Sequence, residues 1–127
     1  MEIIKDTIYA EMAATFQCLE IARLNEVLKN HGITDKDLRQ KICSEYFFDN
    51  GNFLDSGSFV SEGKEVFPRV CFAEREVDLE EGMAEPHTLY VPFSGDYFSW
   101  HEYADGDIYW YFEEHNEDAS EIETKVL

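Results

Sequence analysis

His101 is the residue whose neighbours come closest to forming a site for chemistry. Glu102, Asp105, Asp107 and Glu113 follow it within 12 residues. An imidazole with carboxylates nearby can bind a divalent metal or act in general acid–base catalysis. Successive residues of a β-strand point to opposite faces, so in the strand predicted below His101 and Glu102 diverge. A metal-dependent enzyme built around His101 is therefore the least favoured hypothesis.

The other motif searches point to no catalytic or cofactor site. Residues 57–64 come close to a phosphate-binding loop, but five residues separate Gly57 from Gly63 where four are needed, and Glu65 replaces the Ser or Thr that would hold magnesium. The chain contains no H-E-x-x-H, G-x-S-x-G or G-x-G-x-x-G motif. We therefore expect no catalytic residue, metal or cofactor, and the sequence favours a protein that is not an enzyme.

The cysteines and the N-terminus indicate the compartment. Cys18, Cys43 and Cys71 are odd in number and form no C-x-x-C pair, which favours reduced structural thiols. The N-terminus lacks the basic start and long apolar stretch of a signal peptide. Its longest uncharged stretch, Met12 to Leu19, has eight residues, whereas a membrane span needs about 20. We expect a cytoplasmic protein without a membrane span.

The most distinctive property of the sequence is its excess of acidic residues and their uneven distribution along the chain. The 127 residues include 10 basic and 28 acidic side chains, a net charge of −18. Residues 1–64 carry seven basic and 11 acidic residues, and residues 65–127 carry three and 17, so the second half holds −14 of this charge. Such a surface repels phosphate backbones and anionic lipids. Direct binding to nucleic acid or to membranes is therefore not expected.

Two helices are predicted in the first part of the chain, over residues 3 to 49. Apolar residues recur at three- and four-residue steps from Ile4 to Leu28, and Gly32 marks the end of this long apolar helix. Thr34 is the expected N-cap of a shorter helix from Asp35 to about residue 48. Its apolar stripe consists of Leu38, Ile42 and Tyr46, and Phe47 is a candidate fourth member.

The sequence after residue 49 is typical of β-structure, because Gly, Pro, Ser and Asn divide short runs of aromatic residues and Val. The β region is predicted over residues 57–115, with a loop at 78–87 and an acidic tail at 116–127. The predicted strands are Ser58 to Ser61, Arg69 to Val77, Thr88 to Phe93, Tyr97 to Ala104 and Asp107 to Glu114. The whole chain is thus expected to be one α+β domain, in which the helical hairpin packs on a C-terminal antiparallel sheet of four to five strands.

The last two of these strands are predicted to form a hairpin. Asp105-Gly106 between two aromatic runs is a strong type I′ turn signal, since Gly accepts a positive φ at little cost. In this pairing both faces of the hairpin carry large aromatic side chains. A half-exposed antiparallel sheet would carry polar residues on one face, so we expect another part of the protein to cover the second face.

The sequence favours a protein–protein interaction module over an enzyme. Acidic surfaces with interleaved aromatic residues steer and anchor basic partners, as in inhibitors, immunity proteins and nucleic-acid mimics. The predicted partner-binding residues are Trp100, Glu102, Asp107, Tyr109, Tyr111, Glu113 and Glu114. The alternative is a homodimeric accessory protein that associates through its first helix and whose acidic surface serves only solubility.

Overall fold

A computed structural model describes residues 2–4, 8–74, 77–78, 82–83, 87–92 and 98–114 of the chain. Its helices are α1 (Ile8–Asn30), α2 (Lys36–Ser56) and α3 (Trp100–Tyr109), and α3 continues into a π-helical turn (Trp110–Glu114). The strands are β1 (Glu2–Ile4), β2 (Phe59–Ser61), β3 (Lys64–Val66), β4 (Phe72–Glu74), β5 (Val77–Asp78), β6 (Gly82–Met83) and β7 (Thr88–Tyr90). Among these described elements, no helix has the length and apolarity that crossing a membrane requires.

The three helices pack through rows of buried residues spaced four apart. These rows are Tyr9, Ala13, Gln17, Ile21 and Asn25 on α1; Arg39, Cys43, Phe47 and Gly51 on α2; and Trp100, Ala104 and Ile108 on α3. Rows at i±4 are the ridges through which helices most often interlock. The main core forms where the three rows meet, and Tyr111 and Phe112 of the π-helical turn complete it.

A small mixed sheet lies at the N-terminal end of α1. Its order is β1-β7-β4, with β1 parallel and β4 antiparallel to β7. A second buried cluster joins this sheet to the helices through Tyr9, Phe98 and Trp100, on which Phe72 packs. The Tyr9 hydroxyl also donates a 2.6 Å hydrogen bond to the carbonyl of Val70. Two antiparallel pairs, β2–β3 and β5–β6, stand apart from this sheet.

The predicted architecture is wrong, although the described structure is α+β and contains antiparallel strands. Instead of one antiparallel sheet of four to five strands, the described strands are two or three residues long and fall into three separate groups. Residues 2–4, assigned in part to the first helix, form a strand that pairs in parallel with β7. β2, β4 and β7 do lie within predicted strand ranges. The predicted tail at 116–127 lies outside the described residues.

The largest correction is that residues 100–114 are helical and form no hairpin. Gly106 has no positive φ and lies inside α3, so it makes no type I′ turn. The aromatic residues of this segment suit a strand by propensity, but strand propensity depends strongly on packing context. Here Trp100, Ala104 and Ile108 lie one helical turn apart and bury one face of α3. The core covers Trp100, Tyr111 and Phe112 of this segment, whereas Tyr103 and Tyr109 are exposed.

The second helix also differs from its prediction. It extends to Ser56, so the Asn50-Gly51 pair, whose residue types favour a turn, lies within the helix. Asp35 rather than Thr34 is the N-cap, and its carboxylate accepts from the backbone N–H groups of residues 37 and 38. The buried row is shifted by one residue from the predicted stripe, so Leu38 is exposed and Arg39 is buried. Arg39 donates hydrogen bonds to the Asn25 side chain and to a backbone carbonyl.

Candidate functional site

The seven predicted partner-binding residues occupy three different environments. Glu102, Tyr109, Glu113 and Glu114 are exposed. Trp100 and Tyr111 are buried in the core, with 5% and 6% of their surface exposed. Asp107 is half-buried against α1. The structure therefore does not bring all seven together on one surface.

Four residues of α3 and its π-helical turn share one exposed side, which we call the outer face of α3. Glu102, Asp105, Tyr109 and Glu113 follow one another at steps of three and four residues, so they lie on one side of the helix. Tyr109 is 56% exposed and is the large side chain of this face. No basic residue occurs between residues 98 and 114. The outer face is therefore a compact acidic surface around one aromatic ring.

An open cleft of about 450 Å³ between α2 and α3 adjoins this face. Its lining comprises Asp37, Gln40, Lys41, Ser44, Asp105, Ile108 and Tyr109. The Ser44 hydroxyl donates a 3.4 Å hydrogen bond to Asp105, which ties the two walls together. Asp105 and Tyr109 thus belong both to the cleft and to the outer face.

Asp55 on α2 fixes the position of α3. Its carboxylate accepts hydrogen bonds from the backbone N–H groups of Trp100 at 2.9 Å and His101 at 3.0 Å. These N–H groups have no partner within their own helix, and the positive end of the helix dipole favours a carboxylate there. Ser99 occupies the N-cap position but makes no capping hydrogen bond with its side chain. The cap of α3 therefore comes from another helix, which sequence analysis did not reveal.

Gly51 allows α2 and α3 to approach this closely. A Cβ atom at Gly51 would lie 2.6 Å from the backbone nitrogen of His101 and 2.8 Å from the carbonyl carbon of Trp100. Such distances are too short for any side chain, because both contacts are to rigid backbone. Gly51 lies one helical turn before Asp55, so the close approach and the cap form one junction between the two helices.

His101 belongs to this junction, and its geometry differs from that of a catalytic triad. Its Nδ1 is hydrogen-bonded to the Asp55 carboxylate, and the Ser99 hydroxyl lies 3.4 Å from the same nitrogen. A Ser–His–Asp triad instead needs Ser and Asp on opposite ring nitrogens. On the helix Glu102 does not diverge from His101, since its Oε1 lies 4.0 Å from Nε2. Within the described residues, no three His, Cys, Asp or Glu side chains converge where a metal ion could bind.

Asp107 lies in the contact between α1 and α3, opposite Cys18. Burial raises the pKa of Asp107 from 3.8 to about 6, while a hydrogen bond from the Cys18 thiol acts in the opposite direction. Burial, followed by the charge and hydrogen bonding of Asp107, raises the pKa of Cys18 to about 12. Cys18 is therefore a protonated thiol at neutral pH and a poor nucleophile.

Comparison with known proteins leaves the function to be argued from this geometry. The chain matches no protein-family model, no curated protein and no solved structure.

Proposed function

We propose that this protein is a small interaction module whose acidic outer face of α3 binds a basic protein partner. One observation carries this proposal: three carboxylates and a largely exposed tyrosine share one side of a helix segment that has no Lys or Arg. Charges of one sign on a surface increase the rate of encounter with an oppositely charged partner. Such a surface suits the basic site of a nuclease or of a DNA-binding protein, as an inhibitor or nucleic-acid mimic would.

The rigid attachment of α3 supports this proposal. Asp55 caps the helix, Gly51 lets it pack directly on α2, and the core holds its opposite side. A surface that is already ordered loses less conformational entropy on binding. The acidic side chains are therefore presented at fixed spacing before the partner arrives.

Tyr109 is the proposed aromatic anchor of this surface. Trp100 and Tyr111 belong to the core, so neither is available to a partner without unfolding. Tyrosine is enriched among interface residues that contribute most to affinity. A long cationic side chain of the partner would enter the adjoining cleft, where Asp37 and Asp105 supply carboxylates and Tyr109 an aromatic ring. Lys41 also lines the cleft, so the two carboxylates outnumber the one cation of the lining.

The test begins with cross-linking in an extract of the cells that produce the protein, at about 0.15 M salt. Each selectively captured protein is purified, and its Kd is measured by calorimetry. The test variant is E102Q/D105N/E113Q. The matched control is E11Q/E26Q/E62Q, which removes the same charge from exposed sites on α1 and the β2–β3 turn. We expect a basic partner whose affinity falls about tenfold or more in the test variant and stays near wild type in the control.

Tyr109→Ala distinguishes the contribution of the aromatic contact to binding from the contribution of the surface charge. We expect it to raise the dissociation rate, whereas the test variant, which removes three negative charges, lowers the association rate and weakens its salt dependence. A purely solubilising surface makes a different prediction: capture is non-selective, and the test and control variants weaken it equally. That result would refute the proposal.

A second candidate is a homodimer formed through α1. A mostly apolar groove of about 440 Å³ runs along this helix, and its lining comprises Ile8, Glu11, Met12, Thr15, Phe16, Leu19 and Phe72. Exposed apolar grooves of this kind are often interaction sites. Sedimentation equilibrium tests it: Met12→Glu would give a monomer and the control Val60→Glu, on exposed β2, would leave the dimer. A monomeric wild-type protein at about 100 μM would exclude this candidate.

A further inference from the structure

The contact between α1 and α3, called here the α1–α3 seam, contains two buried oxygens that accept no hydrogen bond. Among the described residues these are Oε1 of Gln17 and Oδ2 of Asp107. Around them Ile21 packs with Ala104 and Ile108, and one hydrogen bond crosses the seam, a 3.0 Å bond from Nε2 of Gln17 to the carbonyl of Trp100. A buried acceptor that loses its water and gains no donor disfavours the closed arrangement. This side of α3 is thus held less firmly than the side facing α2, where Asp55 caps the helix.

Few groups compensate the charge of Asp107. From α1 the Cys18 thiol faces it and donates a hydrogen bond, which thiols do only weakly. On its own helix, Asp105 is directed toward α2, where Ser44 donates to it. Within the described residues, no cation of α1 or α2 acts on the Asp107 carboxyl. Within the part of the chain that the structure describes, ionised Asp107 is therefore half-buried, with its Oδ2 fully buried, and has no cationic partner.

We propose that ionisation of Asp107 loosens the α1–α3 seam, so that α3 separates from α1 more readily at neutral pH than under mildly acidic conditions. Separation hydrates the Asp107 carboxylate and exposes the Cys18 thiol. The junction at Asp55 and Gly51 keeps α3 attached to α2 during this local opening. The proposal requires no partner, and its test does not depend on the proposed binding function.

The direction of the pH effect follows from the two states. In the closed seam the pKa of Asp107 is about 6, and in the open seam it returns toward its ordinary value of 3.8. The closed form therefore holds more protons between these values, so opening becomes more favourable as pH rises through this interval and levels off above it. For these two values, the opening constant increases about tenfold between pH 5 and pH 7.5.

The three native cysteines allow this opening to be measured in the full chain. Cys18 lies at the seam and is only partly buried, Cys43 is fully buried in the core, and Cys71 is exposed. N-ethylmaleimide is added, and modification of each cysteine is followed by peptide mass spectrometry. The Cys71 rate corrects for the pH dependence of thiol reactivity, and the Cys43 rate reports global unfolding.

We expect the ratio of the Cys18 rate to the Cys71 rate to rise about tenfold from pH 5 to pH 7.5, while Cys43 stays protected. Asp107→Asn should abolish most of this rise, and Asp105→Asn, which removes a neighbouring exposed charge, should preserve it. A Cys18 ratio that does not change with pH, or that rises equally in Asp107→Asn, would overturn the proposal.

Discussion

The carboxylate of Asp55 links the end of α2 to the start of α3. It accepts hydrogen bonds from the backbone N–H groups of Trp100 and His101, which follow it in the chain by 45 and 46 residues. It is also hydrogen-bonded to the ring of His101. Its side chain is only 5% exposed, so these bonds replace the water that the carboxylate would otherwise bind. Loss of this side chain leaves the first N–H groups of α3 without a partner in a partly buried position.

Asp55→Ala should lower the free energy of unfolding by about 2 kcal/mol, because it removes both the cap and the partner of His101. Asp55→Asn keeps an acceptor oxygen and should cost less. The control is Asp49→Ala, an exposed position on the same helix, which should change stability by less than about 0.5 kcal/mol. Urea unfolding followed by circular dichroism measures all three variants, and equal effects of Asp55→Ala and Asp49→Ala would contradict the assigned cap.

Two glycines should respond in opposite ways to alanine. At Gly106 no heavy atom lies within 4 Å of an added Cβ, so Gly106→Ala should stabilise α3 by about 1 kcal/mol through helix propensity. At Gly51 the added Cβ meets the backbone of α3, so Gly51→Ala should destabilise the protein by about 2 kcal/mol or more. Thermal unfolding of the two variants shows whether their changes in stability have opposite signs. In the hairpin predicted from sequence, Gly106→Ala would be destabilising because that position would need a positive φ.

Helix α3 makes different contacts on each of its sides. Toward α2 it has the Asp55 cap and the close approach at Gly51, toward α1 it has apolar contacts interrupted by Asp107, and its outer face is exposed and acidic. The same element therefore contributes to the core, to the proposed binding surface and to the proposed pH-sensitive seam.

Asp107→Asn should raise the global free energy of unfolding at pH 7 by about 1–2 kcal/mol. The raised pKa of Asp107 would correspond to a larger value, but the carboxyl is only half-buried and solvent screens part of the effect. Since the folded protein binds the extra proton, this cost develops as pH rises from about 4 to 6 and is absent at lower pH. Urea unfolding of wild type and variant at pH 4 and pH 7 measures it. A difference of the same size at both pH values would contradict the assigned burial.

The complete chain carries a net charge of −18, which no arrangement of its ten basic residues can neutralise. Some of these basic side chains are also committed inside the fold, as Arg39 is between α1 and α2. Carboxylates within one screening length repel one another, and unfolding moves them apart. Charge repulsion therefore opposes folding at low ionic strength.

Raising sodium chloride from about 0.02 M to about 0.2 M should raise the free energy of unfolding by about 1 kcal/mol, because salt screens this repulsion. Urea titrations at several salt concentrations measure the change. E102Q/D105N/E113Q should be more stable than wild type at low salt and should show a smaller salt dependence. A stability that falls with added salt would mean that attractive charge pairs outweigh the repulsion.

The sequence by itself determined the properties that depend on composition and on neighbours along the chain. The acidic second half is visible from residue types alone, and the long helix that ends near Gly32 follows from local apolar periodicity. The α+β class also follows, since a helical first part is followed by short strand-like runs divided by turn residues. Within the predicted binding set, Glu102, Tyr109, Glu113 and Glu114 are exposed, and their role in binding stays a prediction.

Only the tertiary structure decided whether residues 100–114 form a hairpin or a helix, and which side chains complete the candidate site. The spacing of the aromatic residues in this segment fits both a strand and a helix, and Gly106 is compatible with a turn or with an exposed helix position. Local preference therefore leaves the choice open. Burial of Trp100, Ala104 and Ile108 against α1 and α2 selects the helix. The Asp55 cap and the Gly51 approach likewise join positions about 50 residues apart. Such contacts leave no recognisable pattern in the sequence around either residue, because they contribute to stability only after folding has brought the two segments together.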